Sequence, residues 1–325
     1  MVSAIDVSSS VGNIGRKLTF ADGSVFTTSD NDAIDALGNS SGYLHSIESK
    51  ISWVIVPLVV MIFSGFTFFK WGLPWACTQI SHALPQKTNE LIAFNTLEFL
   101  DAYIFEESLL GSQQQERIRK HFFSQLVPLE SDAEMSYALH LRHWSDGETS
   151  IPNAFALPSG DIILTDKFVE LTHTQDEMDS VLLHEMGHVA HRHTLQMVIQ
   201  GTFVTAVVML VAVDISGLAN VGLGLGSLLV SSNYSRGHES EADEYAFKKM
   251  LAAKIDPESF SNIMARMTGY MGAEGEQEPE QKVDDNKEEN ENLLDYLSTH
   301  PSTEKRIEQA RRYSACFKQG LTVCD

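Results

Sequence analysis

His184 and His188 stand four residues apart in the run Val181-Leu-Leu-His-Glu-Met-Gly-His-Val189. On an α-helix that spacing puts both imidazoles on one face, one turn above the other, where they can reach a single metal ion. Glu185, beside the first histidine, is placed to act on a water at that metal rather than on the metal itself. Thr174 and Glu177 form a capping box ahead of the run, and Met178, Val181, Leu182 and Val189 recur at helical spacing, so the motif is expected on a helix. The competing reading is a histidine-rich core helix whose polar groups are satisfied by neighbours.

A catalytic zinc needs a third protein ligand and an open fourth position. Candidates lie in Ser235-Arg236-Gly-His238-Glu239-Ser-Glu241-Ala242-Asp243. His184-Glu-Met-Gly-His188 followed by Arg236-x-x-Glu239-x-x-Ala242-Asp243 resembles the HtpX-like membrane zinc metallopeptidases, relatives of the CAAX prenyl proteases. The resemblance implies one Zn²⁺ per chain, with Glu239 as third ligand and Asp243 orienting a ligand imidazole. Glu241 points about 200° away from Glu239 on a helix and reads as a surface residue, the first alternative if Glu239 is not the ligand. Without the upstream motif, the stretch is an ordinary acidic exposed helix.

Two further segments resemble the same family. Asn153-Ala154-Phe155, followed by a Pro-Ser-Gly turn and a second strand, corresponds to a strand along the active-site cleft. A bound peptide would extend that sheet through main-chain hydrogen bonds, whereas an interior hairpin would have no substrate role. His300-Pro301 and Arg306 resemble a His-Pro motif with a following Arg, which implies that His300 and Arg306 stabilise the oxyanion. Spacing alone fits equally a Pro-initiated helix with solvent-facing polar residues. The resemblance covers roughly residues 90–315. It implies a mostly helical α+β fold: a zincin-type (gluzincin) domain with a small strand and hairpin sheet.

Ile51 to Phe69 is a nineteen-residue apolar run flanked by Trp53, Trp71, Lys50 and Lys70. At about 1.5 Å per residue it spans close to 30 Å, and it is read as a single transmembrane anchor. Arg16, Lys17 and Lys50 before it slightly outweigh Lys70 and Lys87 after it. That bias puts the amino terminus in the cytoplasm and the catalytic domain outside, on the periplasmic side of a bacterial inner membrane. No cleavable signal peptide is visible at the start.

The remaining organisation follows from composition. Residues 1–50 form a small accessory module, with two strands around Asp22-Gly23 and a short helix from Asn31 to Leu37. The metallopeptidase domain is expected over 88–316, with helices through Leu91, Phe94, Leu97 and Ile104 and through Ile118, Phe122 and Leu126, then a strand at Tyr137–Leu141. The apolar stretch 201–230 cannot span. One crossing would separate the histidines from Glu239, and about 30 residues are too few for two, so an interfacial segment or a buried helical hairpin is expected. Helices follow Glu239 and Pro257, and 274–291 reads as a disordered acidic loop. The net charge of −21 argues against a nucleic-acid partner. Cys316 and Cys324 either pair or stay free.

The reading is a membrane-anchored zinc endopeptidase hydrolysing peptide bonds in misfolded or membrane and envelope proteins, as quality control. CAAX processing is not expected from a chain with one anchor. A membrane-tethered chaperone or scaffold on a metallopeptidase fold is the alternative, and the intact Glu185 argues against it.

Overall fold

The computed structural model describes residues 5–8, 14–37, 52–132, 135–145, 147, 149–212, 235–275, 300 and 304–324. It divides into two compact units, Met1–Leu73 and Pro74–Asp325.

The first unit opens with a three-stranded antiparallel sheet, β1 (Asp6–Val7), β2 (Arg16–Thr19) and β3 (Val25–Thr28). Gly23, at φ +83°, makes the turn between β2 and β3. Asp22 closes it by accepting from the Ser24 amide and hydroxyl. The two-residue β1 leaves no alternation to read. Helix α1 (Asn31–Leu37) starts where Asp30 accepts from the Ala33 amide.

Helix α2 (Ser52–Thr67) carries the expected apolar run, with Val59, Val60, Met61, Ile62, Phe63 and Phe66 all exposed. It does not end near Phe69 as expected. A π-turn over Phe68–Gly72 leads directly into α3 (Leu73–Ala83), giving 29 residues from Ile55 to Ala83 that are long and apolar enough to cross a membrane. The i→i−5 bond from the Leu73 amide to the Phe68 carbonyl falls just ahead of Pro74, which has no amide to donate.

The second unit is mostly helical around a four-stranded sheet in the order β4-β5-β7-β6: β4 (Phe105–Glu107), β5 (Ala138–Trp144), β6 (Ala154–Ala156) and β7 (Asp161–Thr165). Only β5 and β7 are parallel. Gly160 (φ +100°) turns β6 into β7, where a side chain would run into the Ser136 carbonyl. Helices α4 (Gln86–Tyr103), α5 (Ser112–His121), α6 (Asp166–Leu171), α7 (Gln175–Ala190), α8 (His193–Ala212), α9 (Arg236–Ala253), α10 (Glu258–Gly275) and α11 (Glu304–Lys318) complete it. The core joins Phe122, Leu141, Ile162, Phe168, Leu182, Met186, Phe247, Met250, Ile263 and Tyr313, with α7 packed against α9 and α10.

Helix α4 turns a different face inward from the one its large apolar residues suggest. Leu91 and Phe94 are exposed, and Asn89, Ala93, Thr96 and Leu100 are buried. Small Ala93 lets the helix sit close to the Phe105, Trp144, Phe155 and Val198 cluster, and the Thr96 hydroxyl is satisfied on the Ile92 carbonyl. Of the 201–230 stretch, the part through Ala212 continues α8 with Phe203, Val204 and Leu210 exposed rather than buried, and 213–230 lie outside the described residues. Glu274 and Gly275 close α10, and the rest of the expected acidic loop also lies outside them. Cys316 and Cys324 are bridged.

Candidate metal centre

Thr174 caps α7 by accepting from the Glu177 amide, while Glu177 accepts from the His173 amide and holds Arg266 of α10 by two bonds of 2.8 and 2.9 Å. The helix is therefore fixed at its start, and its motif turn is buried: His184, Glu185 and His188 are each 2% exposed or less. Ser235 caps α9 by accepting from the His238 amide, which places Glu239 in that helix's first turn. The two helices cross at Gly187, where a Cβ would come within 3.0 Å of the Ala242 backbone. That closeness is what lets Glu239 reach the histidines.

His184 Nε2 and His188 Nε2 are 3.0 Å apart, and Glu239 places Oε2 3.5 Å from the first and Oε1 3.4 Å from the second. Zinc binds nitrogen and oxygen at about 2.0–2.1 Å, so the edge of a tetrahedron around it is about 3.3–3.4 Å. Each separation is close to that edge, with the Glu239 carboxylate reaching one histidine through each of its oxygens. His300 joins them in a group whose donor atoms all lie within 4.8 Å of one another. Its Nδ1 is 3.0 Å from Glu239 Oε1, and its Nε2 is 3.6 Å from Glu185 Oε1. Glu185 Oε2 is buried without a hydrogen-bond partner among the described residues, which leaves it able to accept from a water or substrate group.

Asp243 lies one turn beyond Glu239 with Oδ1 2.9 Å from His184 Nδ1, which leaves the His184 Nε2 lone pair for a metal. Arg306 donates from Nε and Nη2 to the two Asp243 oxygens at 2.7 and 2.8 Å, and its Nη1 lies 2.6 Å from Glu239 Oε2. Both His300 and Arg306 are buried, so the solvent-facing reading of this segment fails. Glu241 lies 60% exposed, away from the donor set.

These contacts set the charge states among the protein groups. Burial pushes Glu185 up to about 8, against the pull of His300. Burial also opposes ionisation of Glu239 and Asp243, yet His300 and Arg306 hold Glu239 well below the usual carboxylate range, and Arg306 lowers Asp243. Burial holds His188 well below its ordinary value, and His184 is raised because Asp243 and Glu239 outweigh its burial. Ionised carboxylates beside a neutral imidazole make a donor set suited to a divalent cation.

The sheet meets this centre at β6, the edge strand in pairing order. Asn153 and Leu157 bond to β7. The alternate residues point outward, where the Ala156 carbonyl accepts from the Thr194 hydroxyl. No partner meets Ala154 on that edge among the described residues. All of Asn153, Ala154 and Phe155 are buried.

A model of peptidase family M48 matches residues 125–314, a span that holds every residue of this centre. This chain belongs to peptidase family M48. The expected resemblance to membrane zinc metallopeptidases and the expected fold are thereby borne out. A domain of unknown function (DUF7092) matches residues 1–40. Among characterised proteins, the chain is 30% identical over 165 residues to the mitochondrial metalloendopeptidase OMA1 of Schizosaccharomyces pombe, covering 50% of this chain and 43% of that one. It is 34% identical over 119 residues to the metalloprotease LoiP of Escherichia coli, covering 35% and 47%. With the beta-barrel assembly-enhancing protease of Yersinia pestis it shares 25% over 181 residues, covering 53% and 34%. The chain thus spans less than half the length of each of these relatives.

Sequence reasoning missed one member of the M48 centre. His193 is fully buried, with Nδ1 3.0 Å from His188 Nδ1 and Nε2 2.9 Å from Glu241 Oε2. Five residues apart on a continuous helix, His188 and His193 would face different ways. The chain breaks between them, with Arg192 in the left-handed region at φ 57° and its guanidinium on the Ser81 and Leu84 carbonyls. The density of histidines over 184–193 was the only signal.

Proposed function

We propose that this M48 chain is a membrane-anchored, zinc-dependent endopeptidase, with His184, His188 and Glu239 as the ligands and Glu185 as the general base. The observation that carries this reading is the set of 3.0, 3.4 and 3.5 Å separations among three buried side chains, with Glu185 beside them. Zinc held there would polarise the scissile carbonyl and activate a water for attack. Glu185 takes the proton at its carboxylate and returns it to the leaving amine. Asp243 holds the His184 ring by Nδ1, and Arg306 holds both Asp243 and Glu239. With three of its donors on those carboxylates, Arg306 serves the ligands. Support for charge developing on the attacked oxygen falls to His300.

The substrate is an extended segment of a misfolded or membrane protein, pairing with the outer edge of β6 at Ala154. The apolar helix from Ile55 to Ala83 supports a membrane anchor. The Cys316–Cys324 bridge supports an oxidising compartment for the catalytic domain, the periplasmic side if the source is a Gram-negative bacterium.

Purified full-length protein should degrade an unfolded protein substrate, lose the activity to a chelator and regain it with Zn²⁺. Activity that survives full metal removal, or none with zinc restored to a folded sample, would sink the reading. The second outcome would leave the tethered-chaperone alternative.

A further inference from the structure

Resting on the zinc reading above, we propose that His193 and Glu241 are positioning residues that fix the tautomer and ring orientation of His188. His188 turns Nε2 toward His184 and Glu239, at 3.0 and 3.4 Å. If Nε2 offers its lone pair to a metal, the proton of the neutral ring sits on Nδ1. That atom lies 3.0 Å from His193 Nδ1, and two ring nitrogens at this distance need one proton between them. His193 therefore accepts at Nδ1 and carries its own proton on Nε2. Its Nε2 is 2.9 Å from Glu241 Oε2, which accepts.

Along these contacts the chain of donors runs from the ligand to a carboxylate at the surface. The His193 ring is held in plane between His238, stacked with centroids 4.3 Å apart, and His191, at 5.3 Å. The two ligand imidazoles are thus braced by different means: His184 directly by Asp243, and His188 through an intervening imidazole.

His191, His193 and Glu241 also lie close enough to suggest a metal site of their own. The proton bookkeeping disfavours it. An ion on His193 Nε2, with Nδ1 still accepting from His188, would require His193 to lose its only proton.

The test measures Zn²⁺ affinity by chelator competition on full-length protein, together with melting temperature with and without zinc. His193→Leu removes the acceptor and should weaken zinc binding about 10- to 100-fold. His193→Asn places Oδ1 near the Nδ1 position and should restore most of that loss. Glu241→Ala, at a side chain 60% exposed, should weaken binding by a smaller factor and leave the melting temperature of chelated protein unchanged, which excludes simple misfolding. Wild-type affinity in both His193→Leu and Glu241→Ala would overturn the assignment. So would a second zinc equivalent lost in Glu241→Ala. If wild-type protein binds no zinc at all, the zinc reading itself has failed and this assignment goes with it.

Discussion

Gly187 of α7 faces Ala242 of α9 with no room for a methyl group between them. A Cβ on Gly187 would stand 3.0 Å from both the Ala242 Cα and its carbonyl oxygen. Backbone atoms cannot yield as a side-chain tip can, so the helices themselves would have to part. Gly187→Ala should cost about 1–3 kcal/mol of stability, as overpacked sites do, and weaken zinc binding because Glu239 recedes from the histidines. A melting curve and a metal titration check both. Unchanged values in each would show that the crossing tolerates a side chain.

Glu185 and Glu239 should separate chemistry from binding. Glu185→Gln keeps the shape of the site and should keep its metal, while proteolysis falls by about 10²- to 10⁴-fold. Glu239→Ala should lose metal and activity together. Full metal content in Glu239→Ala would transfer the ligand role elsewhere, with His300, 3.0 Å from Glu239 Oε1, the first place to look.

The Glu177–Arg266 pair predicts a pH signature away from the centre. Burial opposes ionisation of Glu177, but Arg266 and the His173 amide outweigh it and hold the carboxyl below its ordinary value. A depressed carboxyl stabilises fully above the unfolded-state value of about 4.3, and that contribution fades as pH falls through the lower folded value. Arg266→Ala should therefore cost about 1–2 kcal/mol at pH 7. The gap to wild type should narrow in denaturant titrations below about pH 4. A gap that stays constant down to pH 2 would assign the loss to packing instead.

Membrane topology is testable by the residues that meet. Cysteines introduced near Lys167 and Lys249 should be labelled from one side of the membrane, and those near Arg16 only from the other. Labelling of the first two from opposite faces would be incompatible with a shared metal. Labelling of all three from one face would spare the metal centre and remove the crossing at Ile55–Ala83.

The parts of this molecule legible in its sequence are those set by short-range periodicity. His184 and His188 declare a common face, and Gly160 and Gly23 declare their turns. Glu239, 51 residues beyond His188, is out of reach of any period and came only from resemblance. Arg306 looked solvent-facing by spacing because its partners, Asp243 and Glu239, belong to another helix. His193 was hidden by a break at Arg192 that local composition does not announce. The inward face of α4 was missed for the opposite reason. Three of its four buried residues, Asn89, Ala93 and Thr96, are small or polar, while Leu91 and Phe94 stay outside.

The burial of His184, Glu185, His188, Glu239 and His300 bears on how the proposed enzyme would be reached by a substrate. If a peptide reaches these groups only after the chain has moved, measured turnover is the intrinsic rate multiplied by the fraction of molecules open. A fraction of one in a hundred corresponds to about 2.7 kcal/mol held against opening. Each 1.4 kcal/mol by which a lipid, a partner or a substitution favours the open form raises activity about tenfold without touching the chemistry. For such a molecule restraint would be the default and proteolysis a response.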